Sequence, residues 1–168
     1  MTVSGAVQSG GVIALNADAA LLTVNAQVSG NGQAVNLFGG DMAINAPISN
    51  PTGAVVLNHI SAGPVEGPVT LGGGLTGFGI SEAELKRITA LSVTINASPA
   101  TVDGPINLTN PGMSLTLNAT SLAVNNNFVT SGALNINTTG AISVNAGSTP
   151  VSLQGSNVNL VASSITVN

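Results

Sequence analysis

Cysteine, tryptophan and tyrosine are absent from this 168-residue chain, and phenylalanine occurs only three times. Without cysteine there are no disulfides and no thiolate metal sites, which suits a reducing compartment or an exported protein alike. So few aromatics weigh against a β-sandwich, whose core and hairpins call for them. Charge is nearly as scarce: two Lys/Arg and six Asp/Glu make 5% of the residues, against roughly 25% in ordinary soluble domains. Beyond Asp103 no ionisable side chain appears up to Asn168. A net charge of −4 with only two cations predicts no nucleic-acid partner and no polybasic membrane patch. Low charge with a high apolar fraction also argues against intrinsic disorder. No transmembrane helix is expected, because uncharged runs such as 19–40 are broken by Asn25, Asn31, Gln33 and Asn36. The opening MTVSGAVQSGG lacks a basic segment followed by an apolar run, so no signal peptide is expected within this chain.

What the chain does contain is a repeat. The unit apolar-x-apolar-Asn recurs as IALN (13–16), LTVN (22–25), MAIN (42–45), VVLN (55–58) and VTIN (93–96). It continues as LTLN (115–118), LAVN (122–125), LNIN (134–137), ISVN (142–145) and ITVN (165–168), with VSLQ (151–154) a Gln variant. Two apolar residues two apart share one face of a strand. Val, Ile and Leu at those positions, with Thr often between, fit β-structure. Asn then suits a corner, since it tolerates left-handed backbone and bonds to nearby backbone groups. Alternate units lie about 20 residues apart, the signature of a β-solenoid. Stacked at about 4.8 Å, the corner Asn residues are expected to form amide ladders. The expectation is an all-β parallel β-helix (β-solenoid) of about eight coils of roughly 20 residues, one domain spanning 1–168.

One segment departs from the repeat. Between Gly77 and Ala90 (GFGISEAELKRITA) lie four of the eight charges: Glu82, Glu84, Lys86 and Arg87. Ser81 with Glu84 three residues on reads as a capping box, and Ile80 with Leu85 as a hydrophobic staple. The acids precede the bases, as the helix dipole favours, and Glu82–Lys86 is an i,i+4 pair. These signals predict a short helix over 82–89, with Leu85 and Ile88 docked on the solenoid and every charge used in building the helix. The coil blocks are then about 1–58 and 91–168, separated by a Gly-rich and helical insert over 59–90.

The repeat units and the segment GISEAELKRITALSVTINA (79–97) resemble the filamentous-haemagglutinin-like adhesins. Those are large bacterial surface or secreted proteins exported by two-partner secretion, and similar S-x-x-E-L-x-R-I-T-A segments punctuate their shafts. The resemblance implies a right-handed helix, a secreted or outer-surface location and a role in cell adhesion. It covers the shaft only, because this sequence carries no recognisable secretion domain.

The candidate chemical sites are few. Gly72–Gly77 fits G-x-G-x-x-G, but the helix begins too late and no acid ends the next strand, so no dinucleotide site is expected. His59 stands alone, without a metal cluster or a nucleophile motif around it. Asp18, Asp41, Glu66 and Asp103 are dispersed; two of them on one face in adjacent coils would suit a polysaccharide-cleaving cleft. The N-x-S/T sequons at Asn96, Asn107, Asn118 and Asn137 follow from an Asn/Ser/Thr-rich repeat. Catalytic, cofactor-binding and metal-binding residues are therefore expected to be none. The leading expectation is a structural shaft whose partners are neighbouring coils of a longer parent chain, other copies end to end, and a host-cell surface or glycan. The alternative is a carbohydrate-binding or carbohydrate-cleaving β-helix.

Overall fold

A computed structural model describes residues 1–61, 67–73, 78–109, 112–145 and 150–168. The chain winds into an all-β parallel solenoid of about seven turns; among the described residues there is a single short helix and every strand pairing is parallel. Three faces can be followed through the stack, here called leading, middle and trailing. Coil one comprises β1 (Thr2–Val3), β2 (Val7–Gln8) and β3 (Ile13–Asn16), and coil two β4 (Leu21–Val24), β5 (Val28–Ser29) and β6 (Val35–Gly39). Coil three has β7 (Asp41–Ile44) and the long β8 (Ile48–His59), which supplies both its middle and its trailing face.

Next come β9 (Val69–Leu71), β10 (Phe78–Ile80), helix α1 (Glu82–Leu85) and β11 (Ile88–Asn96). The remaining coils repeat regularly: β12 (Ala100–Val102), β13 (Ile106–Leu108) and β14 (Ser114–Ala119), then β15 (Leu122–Val124), β16 (Phe128–Thr130) and β17 (Leu134–Thr138). Then follow β18 (Ala141–Val144), β19 (Leu153–Gln154) and β20 (Val158–Val161), and finally β21 (Ser164–Val167).

The alternation read from the sequence sets the register. On the trailing face one inward column runs Leu15, Leu37, Leu57, Ile95, Leu117, Ile136, Leu160 from coil to coil. From Leu37 to Ile136 its members are wholly buried. Each aliphatic side chain so withdrawn from water stabilises the fold by about 1.5–3 kcal/mol. Turns number about seven where length alone suggested eight; between Ile60 and Arg87 the described residues supply two leading-face strands, β9 and β10, and the helix, with no middle or trailing strand.

Two local departures from expectation have physical causes. Helix α1 ends at Leu85, with Lys86 as its C-cap, so it is shorter than the 82–89 spacing predicts. Ile88 instead opens β11 in register with Ile48 of the coil beneath. A ladder position in the core outweighs the weak helical preference of the last residues.

Strand order is the other departure. Along the leading face β10 pairs with β9, and β9 pairs with β12. The chain therefore places β9 one level up and steps back to lay β10 beneath it. Gly72, with φ 74°, begins the return; a side chain on Gly104 would lie 1.9 Å from its carbonyl oxygen, so the two backbones meet where only glycine fits.

Candidate functional site

Two columns of asparagine run along the corners. At the trailing corner Asn96 Nδ2 donates to Asn58 Oδ1 (2.7 Å), Asn118 to Asn96 (2.9 Å) and Asn137 to Asn118 (3.0 Å). At the leading corner Asn45 donates to Asn25 (2.9 Å), Asn145 to Asn125 (2.9 Å) and Asn168 to Asn145 (3.0 Å). A primary amide suits such a column because it carries both a donor and an acceptor, so each rung gives downward and receives from above. The anticipated amide ladders are thus present, in two separate columns.

Asp103 occupies the lowest rung of the upper leading segment and accepts from Asn125 Nδ2 at 3.4 Å. A carboxylate can hold that rung, since a lowest member has only to accept.

A buried amide of another kind escaped the repeat pattern. Asn50 is fully buried inside β8. Its Oδ1 accepts from Gly32 N (2.9 Å), and its Nδ2 donates to Gln33 O (2.7 Å) and Ala54 O (3.0 Å). A Cβ on Gly53 would lie 2.5 Å from Asn50 Nδ2. The readable signal was Asn50-Pro51-Thr52-Gly53, a turn sequence inside an apolar run.

The insert forms a seam between the coils below and above it. Ser81 caps α1: Glu84 N donates to Ser81 Oγ (3.2 Å) and Ser81 N to Glu84 Oε2 (2.9 Å), the predicted capping box. Lys86 pairs with Glu82 at 2.6 Å, and Leu85 is buried. The charges do more than build the helix, however. Glu84 Oε1 accepts from Ile44 N (3.0 Å), and Arg87 Nη1 donates to Ile44 O (2.8 Å). Ile44 ends β7, and β7 has no ladder pairing with β10 above it. Two side chains thus serve the backbone groups that a neighbouring strand would otherwise serve.

The remaining candidates fall into place around these features. His59 is buried at 7% exposure and stacks on Phe78, centroids 4.6 Å apart at 23°. Gly67 leaves room for its ring, for a Cβ there would lie 2.1 Å from His59 Cε1. Asp18 lies in the turn before β4, Asp41 begins β7 and is in register with Leu21, and Asp103 follows β12, three leading-face strands below the end of the stack. Glu66 and most of the glycine motif, Gly74–Gly77, lie outside the described residues. Among the described residues no three His, Cys, Asp or Glu side chains gather to hold a metal.

Three sequon residues, Asn96, Asn118 and Asn137, are committed to the trailing column, whereas Asn107 is exposed on β13. Beside that column lies a shallow groove of about 350 Å³, lined by Ala97, Ala119, Thr120, Thr138, Thr139 and the amides of Asn118 and Asn137. Comparison with protein families, with curated proteins and with solved structures returned no match to this chain.

Proposed function

We propose that the chain is a stretch of structural shaft of the filamentous-haemagglutinin-like kind, which extends and presents binding regions and offers a long neutral surface for weak contacts in cell adhesion. The observation that carries this reading is the columnar build. Apolar side chains and corner amides continue from rung to rung, so nearly every repeated residue is spent on joining one coil to the next. Such a stack is quasi-one-dimensional, its stability residing in neighbour-to-neighbour contacts. In this reading no residue is catalytic, the location is the bacterial surface or the medium, and nucleic acid is not a partner. Other coils are partners: β20 and β21 expose Val158, Val161, Ile165 and Val167, a surface suited to another rung.

The competing reading is a polysaccharide-handling β-helix working through Asp18, Asp41 or Asp103. Asp18, in the turn before β4, and Asp41, at the start of β7, fall in neighbouring coils, and Asp103 lies higher in the stack. A glycan array and a reducing-sugar assay test this reading. The expected result is neither specific binding nor cleavage. Binding or cleavage that disappears on Asp18→Asn, Asp41→Asn or Asp103→Asn would overturn the shaft reading.

A further inference from the structure

The seam at α1 joins the two halves of the stack unequally around its circumference. On two faces β8 and β11 are paired across this level, from Ile48↔Ile88 to Asn50↔Ala90 on the middle face and from Ala54↔Ser92 to Asn58↔Asn96 on the trailing face, where the amide column crosses with them. On the leading face the backbone ladder is interrupted, since β1–β4–β7 is one sheet and β10 begins another. What spans that gap is the hold of Glu84 and Arg87 on Ile44, over the packed side chains of Ile44, Ile80 and Leu85. Two faces are joined by backbone hydrogen bonds, and the third by a clasp of two side chains.

We propose that this level is a point at which the solenoid opens locally on its leading face. The β8–β11 ladder joins the other two faces, and the Glu84–Arg87 hold on Ile44 is the clasp that keeps the leading face closed. A ladder resists separation with many bonds at once, whereas the clasp yields when two contacts are lost. Opening there parts β10 from β7 on the leading face while the β8–β11 ladder holds the middle and trailing faces. For a shaft this supplies compliance at a defined rung. That use rests on the shaft reading, but the geometry does not, and a shaft without an opening point remains a shaft.

Backbone amide exchange followed by mass spectrometry on the whole chain tests the proposal. In the native protein the peptide containing the Ile44 amide should exchange faster than the peptide containing Val93–Asn96. Arg87→Met, which keeps an apolar stem and removes the donor, should raise exchange at Ile44 on the order of tenfold, as expected for loss of a charged hydrogen bond. Protection over Val93–Asn96 should stay unchanged. Glu84→Gln, which keeps an acceptor oxygen, should have the smaller effect. Equal protection of both seams in the native protein would overturn the proposal, and so would Arg87→Met loosening both seams together. The native comparison decides even if a variant fails to fold.

Discussion

The coils from Ala100 onward and the stretch between Ile60 and Ala90 solve one problem, joining each turn to its neighbour, by different means. The regular coils do it with backbone ladders, aliphatic columns and uncharged amides, and they carry no ionisable side chain beyond Asp103. The seam does it with a capped helix, a strand laid out of order and four charged side chains. Where each rung repeats the last, neutral groups satisfy one another by translation. Where translation fails, as at Ile44, specific charged side chains must reach the orphaned backbone. At this seam charge marks broken periodicity, as Glu84 and Arg87 do at Ile44.

The largest effect that would sharpen this contrast comes from hollowing out each region in turn. Leu117→Ala removes a wholly buried side chain between Ile95 and Ile136 in its column. Leu85→Ala removes one equally buried beneath α1. Both fall in a class that costs about 2–5 kcal/mol. The column variant should lie higher in that range, because ladders on both sides hold its cavity open, while a four-residue helix can settle inward. Urea denaturation midpoints measure both. A larger loss for Leu85→Ala would reverse the comparison and make the helix the stiffer element.

Legibility divides along the same line. The IALN, LTLN and ISVN units were readable because strand period, apolar column and corner amide all sit within four residues. Ser81 and Glu84 were readable because a capping box is local. The middle-face strands such as Val28–Ser29 and Ile106–Leu108 were hidden, for they lack the Asn that flags the others. The order of β9 and β10 was hidden too, since each is a short apolar strand and nothing local tells which level it occupies. The target of Glu84 and Arg87 lies some forty residues back at Ile44, so no helical rule could supply it. Asn50 was legible only as a turn residue, not as a buried hub.

A middle effect is expected where the wrong charge enters the regular region. Asn118→Asp replaces a rung that donates to Asn96 and accepts from Asn137. An ionised carboxylate there sets oxygen against the Asn96 oxygen and should cost about 1–3 kcal/mol at neutral pH. The protonated carboxyl can donate, so folding favours the acid form and raises that carboxyl's pKa above its unfolded value. The variant's stability should therefore approach the parent's at low pH and fall away as pH rises through the raised pKa. Denaturation midpoints for variant and parent across pH 3–7 show it. A constant difference would mean that the column tolerates a lost donor and does not depend on reciprocal amides.

The smallest effect is the most discriminating, because it concerns the one carboxylate already in a column. Asp103 differs from the Asn above it by having no donor, and its rung needs none: Asn125 donates to it, and on its lower side is the backbone of Gly73, where a Cβ would lie 2.7 Å from the Asp103 Cβ. Asp103→Asn keeps the acceptor and the shape, so the stability change should stay within about 0.5 kcal/mol, like other surface exchanges that remove no partner. The same pair of residue types, exchanged in the opposite direction at Asn118, should cost several times more. The columns thus set the cost by rung, since a middle rung must give and receive while a lowest rung only receives. If urea denaturation showed Asp103→Asn losing more than about 1 kcal/mol, the carboxylate would be answering to something other than the column.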